Sequence, residues 1–377
     1  MEYRILLVGG GSGGHVYPLI AVARSLATQA TNAGKKLSLR MLGDGIFVRR
    51  AALEAGIPFN TLVAPKLRRY ASTQTLLDII KAPFALVQSL WHLFWFMPDV
   101  VFCKGGYTGV FPVLAARLYR IPVYLHESDS VPGLANRFLA RFSQVVFVAF
   151  SSAGELLQKS GATVVLTGNP VRTELAGRSV EVARKAFGFM GSEPVVFVTG
   201  GSQGARQLNE LTIDMLSTAL TKGWRVIHQV GDANADDVKR RMATVLSGDL
   251  ATTLATHYRS YAYLNQEEMA NAYTASDVVV SRAGAEALSE ISFLSRPCVI
   301  VPLAGSANDH QRFNAQALKE FGARVVDGVG ATPSVLVRQI EELLEPATNA
   351  QARTRIHAFA RPDASSAIAS TLLASLS

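Results

Sequence analysis

Cysteine is almost missing from this chain of 377 residues. The two present, Cys103 and Cys298, each sit in an apolar, strand-like run. So small a number rules out a disulfide framework and a cysteine-based metal cluster, and the surroundings suit buried free thiols in a reducing compartment. Charge is scarce as well. Charged residues make up 18% and hydrophobic residues 49% of the chain, a balance that excludes a disordered protein and fits globular domains. An unbroken apolar span is also lacking. The nearest approach, TLLDIIKAPFALVQSLWHLFWFM over 75–97, is interrupted by Asp78, Lys81, Pro83, Gln88 and His92, and Pro98-Asp99-Val100-Val101 resumes a strand at once. It reads as one or two amphipathic helices rather than a transmembrane segment, its apolar face either packed in a core or open to a membrane surface. No signal peptide is expected, because Met1-Glu2-Tyr3-Arg4 leads straight into a strand.

What is present is organised by glycine turns. Arg4 to Val8 is a strand pattern that runs into Gly9-Gly10-Gly11-Ser12-Gly13-Gly14-His15 and then a helical pattern from Val16 to Leu26. Gly9, Gly11 and Gly14 fit a dinucleotide fingerprint, but Asp44 lies too far along to be its ribose-binding acid, so NAD is not favoured. His15 heads the helix, where an imidazole kept neutral by the helix dipole either takes a proton near pH 7 or merely caps the helix. A second strand, Val100 to Cys103, enters Lys104-Gly105-Gly106-Tyr107-Thr108-Gly109 and a helix from Val110 to Leu118. Two such turns on one side of a sheet make an anion site of backbone N–H groups, suited to a phosphate-bearing ligand. The strings RILLVGGGSGGH and VVFVTGGSQGAR repeat the same opening near residues 4 and 195, which argues for two similar α/β lobes.

Charge divides along the same line. The net charge is +8, and residues 1–150 hold 16 Lys and Arg against 7 Asp and Glu, while the remainder holds 21 against 22. A basic first lobe suits nucleic acid, a membrane surface or a phosphorylated substrate.

The most informative stretch begins at Asp277, DVVVSRAGAEALSE. Asp277 to Val280 ends a buried-strand pattern, Ser281-Arg282-Ala283-Gly284 turns, and Ala285 to Leu294 is helical. The helix N-terminus offers unpaired donors to a diphosphate, and Glu290 on that helix has the chemistry to hold a ribose diol. A strand over Cys298 to Pro302 follows, with the polar cluster Asn308-Asp309-His310-Gln311 beyond it.

The string SRAGAEALSE with the DHQxxNA of Asp309 to Ala315, the GGxGGH loop, the GGY turn, His126-Glu127-Ser128-Asp129 before PGLxN, and Asn169-Pro170-Val171-Arg172 together resemble the peptidoglycan N-acetylglucosaminyltransferases. That resemblance covers about residues 4 to 345. It implies an α/β protein of GT-B architecture, two Rossmann-like doubly wound parallel-sheet domains facing across a cleft. The domains would be 1–168, binding acceptor and membrane, and 169–345, binding UDP-GlcNAc, with 346–377 a helical tail returning to the first. The activity implied is inverting transfer of GlcNAc from UDP-GlcNAc to the C4 hydroxyl of the MurNAc unit of lipid I.

Site roles follow from the same resemblance. Ser12, Gly13, Gly14, Gly105 and Gly106 would receive the acceptor diphosphate, Asn136 would bind substrate, and His15 would be the base. Arg172 and Ser202 would meet the donor diphosphate, Leu264 the uracil, and Ala285, Glu286, Ala287, Leu288 and Ser289 the nucleotide. Glu290 would hold the ribose and Gln311 the hexose. The family motif HEQN is here HESD, so Asp129 takes the place of a sugar-binding asparagine with an acceptor-only carboxylate, able to bind hydroxyls or to act as the base or orient it. No acidic pair stands where a metal-bound diphosphate needs one, so neither metal nor cofactor is expected. Expected partners are UDP-GlcNAc, undecaprenyl-linked lipid I and an anionic membrane surface, not nucleic acid, with a peripheral location on the cytoplasmic face of the plasma membrane. A glycosyltransferase acting on diacylglycerol or another glycolipid, a UDP-GlcNAc 2-epimerase and a sugar-nucleotide-binding membrane protein without turnover remain as alternatives.

Overall fold

The computed structural model describes residues 2–10, 13–65, 73–159, 161–201, 203–245, 250–306, 309–327 and 330–376. The chain divides into two compact units, 1–171 with 361–377, and 172–360.

Unit 1 is a parallel sheet of β1 (Glu2–Val8), β2 (Lys36–Gly43), β3 (Phe59–Thr61), β4 (Val100–Cys103), β5 (Val123–Glu127), β6 (Val145–Val148) and β7 (Val164–Leu166), in the order 3-2-1-4-5-6-7. The central strands β4 and β5 are buried at every position and open with apolar runs, the usual signature of parallel strands covered on both faces. The order reverses between β1 and β4, which pair Ile5 with Val100 through Val8 with Cys103. In an open parallel sheet, ligands settle beyond the strand C-termini at such a reversal. The two turns there are the two glycine turns of this half.

Unit 2 repeats the plan. Its parallel sheet contains β8 (Val195–Thr199), β9 (Arg225–Gln229), β10 (Tyr258–Tyr261), β11 (Val278–Ser281), β12 (Cys298–Ile300) and β13 (Arg324–Val325), in the order 10-9-8-11-12-13. The reversal lies between β8 and β11, so the chain leaving β8 at Thr199 and the turn over 282–284 flank it. One large core, from Leu175 to Ile356, fills this unit.

The segment over 75–97 forms a single helix, Thr73–Phe96, with Pro83 inside it. Leu93 and Phe96 join the core of unit 1, while Ile80, Phe84, Val87, Trp91, Phe94 and Trp95 are 55–69% exposed. Their spacing of three to four residues puts them on one face. Among the described residues no helix is long and apolar enough to cross a membrane. The end of the chain divides between the units. Helix Pro346–His357 packs Ala352 and Ile356 into the core of unit 2. Helix Ala364–Ala374 lays Ile368, Ala369 and Leu372 into the core of unit 1, where Gln29 of helix Gly13–Asn32 bonds Ser366 and Ser370.

Candidate functional site

In unit 1 the strand ends gather the polar groups. Glu127 closes the buried strand β5, directly after His126, and is 3% exposed. Its Oε1 accepts from Asp129 N at 2.9 Å, and its Oε2 accepts from Gly133 N at 3.2 Å and from Asn136 Nδ2 at 2.8 Å. Asn136 in turn accepts from Gly106 N at 2.9 Å through Oδ1. One carboxylate therefore ties together the HESD turn, the PGL turn and the glycine turn after β4. Burial, and secondarily the charge of Asp129, push the Glu127 carboxyl up to about 7, where it exchanges a proton near neutral pH. Gly105 sits at φ 85°, and a Cβ there would collide with the Asn136 amide. Only glycine lets that bracket close.

The structure thus brings Gly105, Gly106, Asn136 and Asp129 into one neighbourhood, and Glu127 is the hub that sequence reasoning passed over. A carboxylate closing a strand that opens with the apolar run Val123-Tyr124-Leu125 was the signal that would have found it. Thr108 Oγ1 and Ser128 Oγ, on the same turns, are buried without a protein partner. Gly13, Gly14 and His15 open helix Gly13–Asn32 at the end of β1, so the backbone donors at its first turn face the reversal point. Ser12 and the His15 side chain lie outside the described residues, as does Ser202 of unit 2.

In unit 2 the helix Ala285–Phe293 follows β11 through the turn over 282–284. Ala285, Glu286, Ala287, Leu288 and Ser289 form its first turn and a half. Leu288 is core, and Ser289 Oγ bonds back to Ala285 O at 2.8 Å, so the free backbone N–H groups of the first turn are what this stretch presents to an anion. Arg282 fastens the turn. Its Nη1 donates to Val301 O and Pro302 O, and its Nη2 to Gln207 Oε1, at 3.1 to 3.2 Å. Asn314 Nδ2 adds a bond to Ala283 O.

Glu290 is 2% exposed and Arg172 8%. Arg172 Nε and Nη2 both donate to Glu290 Oε1, at 2.8 and 2.6 Å, and Tyr273 OH donates to Oε2 at 3.3 Å. The two residues expected to meet ribose and diphosphate separately thus hold each other. Burial, with the Glu290 charge beside it, raises the Tyr273 phenol well above its ordinary range, so it stays a donor. Gln311 Oε1 accepts from Leu303 N at 2.9 Å. Leu264 is a core side chain, 2% exposed, which leaves its backbone as the group able to face a base. A capping box between Asn265 and Glu268 fixes the loop in which it lies.

Comparison with known proteins agrees with these two halves. Residues 5–148 match the glycosyltransferase family 28 N-terminal domain and residues 195–368 its C-terminal domain. A UDP-N-acetylglucosamine–N-acetylmuramyl-(pentapeptide) pyrophosphoryl-undecaprenol N-acetylglucosamine transferase from Treponema denticola is 34% identical over 90% of this chain and 88% of its own length. Among solved structures, MurG from Acinetobacter baumannii superposes with a TM-score of 0.71 at 24% identity, covering 99% of this chain and all of that one. A UDP-GlcNAc 2-epimerase from Neisseria meningitidis bound to UDP-GlcNAc reaches the same TM-score at 15% identity, covering 98% of this chain and all of its own. The last two likenesses speak for the two-domain fold alone.

Proposed function

The chain belongs to glycosyltransferase family 28, among the UDP-N-acetylglucosamine–N-acetylmuramyl-(pentapeptide) pyrophosphoryl-undecaprenol N-acetylglucosamine transferases, and from that premise we propose that it moves GlcNAc from UDP-GlcNAc to the C4 hydroxyl of the MurNAc unit of lipid I, releasing UDP and giving lipid II. The observation that carries this reading is the pair of reversal points, each flanked by a glycine turn and a helix N-terminus. One such site suits each of two diphosphate-bearing substrates.

The donor belongs to unit 2. The first turn of helix Ala285–Phe293 and the Arg172 guanidinium offer hydrogen bonds to the UDP diphosphate, stabilising negative charge as the glycosidic bond to UDP breaks. Glu290 takes the ribose and Gln311 the hexose. The acceptor belongs to unit 1, its diphosphate on the turns after β1 and β4. His15 removes the proton of the attacking hydroxyl, and Asp129, held by its backbone to Glu127, binds sugar hydroxyls or orients the base. A direct attack on C1 inverts its configuration and gives a β-1,4 bond.

The acceptor's isoprenoid tail stays in a bilayer, so the protein has to work at a membrane surface. The exposed apolar face of helix Thr73–Phe96 supports peripheral docking there, with the basic excess of the first half drawn to anionic headgroups. We place the enzyme on the cytoplasmic face. Transfer of radiolabelled GlcNAc to lipid I, run beside diacylglycerol and beside an assay for epimerised UDP-sugar, tests the reading. Label in diacylglycerol or in an epimer, with none in lipid II, would overturn it.

A further inference from the structure

Unit 1 buries two ionisable side chains that the chemistry above does not use. Lys104 is 1% exposed and His126 is fully buried. Lys104 Nζ lies 2.8 Å from His126 Nδ1 and 2.7 Å from Asn169 Oδ1, and His126 Nε2 lies 3.0 Å from Gly168 O. Donor and acceptor counting assigns the protons. The Gly168 carbonyl only accepts, so Nε2 carries a hydrogen. With Lys104 as an ammonium, which only donates, Nδ1 is the acceptor and the ring is neutral.

The position of this network is what gives it meaning. Lys104 immediately precedes Gly105-Gly106, and His126 immediately precedes Glu127. At its other end, Gly168 and Asn169 open the segment by which the chain leaves unit 1 after Val171. Gly168 has φ 84°, and a Cβ there would run into the side chain of Arg361, the residue at which the chain re-enters unit 1. Pro170 fixes its own backbone and restricts that of Asn169, and residues 167–172 are all buried. The exit is therefore stiff. Two residues beyond Pro170, Arg172 is clamped to Glu290.

We propose that Lys104, His126 and Asn169 are positioning residues that lock the segment leading to Arg172 onto the strand ends carrying Gly105-Gly106 and Glu127. Breaking the lock lets the acceptor turn Gly105-Gly106 and the strand end at Glu127 shift within unit 1 and leaves the donor-binding groups of unit 2 intact, so turnover falls while nucleotide affinity does not. This rests on the two-substrate transfer proposed above.

The test uses the full-length protein with Lys104→Met, Asn169→Leu and Asn169→Asp, measured for transfer to lipid I and for UDP affinity by calorimetry. Lys104→Met and Asn169→Leu should lower kcat roughly ten- to a hundred-fold, the scale of an ångström-level misplacement, with UDP affinity and the KM for UDP-GlcNAc within about twofold. Asn169→Asp keeps an oxygen acceptor for Lys104 and should recover kcat to within about threefold. Unchanged kcat in Asn169→Leu, or equal losses in Asn169→Leu and Asn169→Asp, would overturn the proposal, and this pair carries the comparison should Lys104→Met fail to fold. A wild-type protein inactive on lipid I would overturn the proposed function and this inference with it. An active wild type with indifferent variants overturns the inference alone.

Discussion

Replacing Glu290 with alanine should produce two separable losses. The first is stability. Arg172 directs two donors at one Glu290 oxygen in a site where both residues are more than nine-tenths buried, and removing the carboxylate takes away both bonds and the charge that they are made to. Breaking a buried pair from one side costs about 3–5 kcal/mol. Unit 2 spans Arg172 to Ala360, and a unit of that size loses about 2–4 °C of melting temperature per kcal/mol. A drop of roughly 6–20 °C follows. The second loss is affinity. If the same carboxylate binds the ribose, its removal costs about 1.5–3 kcal/mol of nucleotide binding, or roughly ten- to a hundred-and-fifty-fold in Kd.

Glu290→Gln tells the two apart, since it preserves volume and an oxygen for Arg172 while weakening the charge-assisted bonds to both partners. It should melt closer to wild type than Glu290→Ala yet still bind UDP poorly. Melting curves and calorimetry with UDP, performed well below the variants' transitions, supply both readouts. Melting within about 2 °C of wild type in Glu290→Ala would refute the buried pair. Unaltered UDP affinity in both variants would mean that the donor ribose lies elsewhere.

Three further outcomes are expected. Because the Glu127 carboxyl is held up to about 7 from an ordinary 4.5, the folded state binds that proton more tightly than the unfolded chain. Its contribution to wild-type stability therefore declines between pH 4.5 and about pH 7 by on the order of 3 kcal/mol and is level above. Glu127→Gln does not titrate, so its stability relative to wild type should rise across that window in urea melts, and a pH-independent difference would be evidence against the shift. His15→Ala should cut turnover by on the order of a hundred- to ten-thousand-fold with UDP affinity nearly unchanged, and a loss under tenfold would move the base to Asp129. Phe84→Ser with Trp91→Ser, both exposed in the free protein, should keep the melting temperature but lower partition onto anionic vesicles by on the order of a hundred- to ten-thousand-fold, at about 1.5–3 kcal/mol for each large side chain buried. Undiminished sedimentation with vesicles would locate the docking face elsewhere.

The frame of this fold was legible because parallel strands buried on both faces write themselves as short apolar runs, and glycines punctuate their ends. Val100 to Cys103 and the helix Val110–Leu118 were read at their observed limits for that reason, as was the repeat that places a glycine turn at each sheet reversal. The apolar segment over 75–97 was harder. Pro83 suggested that it could break into two helices, yet it is a single helix with the proline inside, its core-facing Ala85, Leu93 and Phe96 holding one side in place.

The polar sites resisted reading for a different reason. Arg172 and Glu290 are 118 positions apart, and each alone invites a ligand role. Only the folded chain reveals that they meet, because a buried charge must find a partner wherever topology supplies one. The same logic hid Lys104, His126 and Glu127, each of which immediately adjoins or lies within a motif whose other members drew attention. In a sheet of this kind the residue at the last position of a strand is buried like its apolar neighbours yet stands at the ligand edge. A polar residue there is either stranded or networked. His126, Glu127 and Lys104 are networked, so the ends of these strands, more than the glycines beside them, are where the chain concentrates its buried polar contacts.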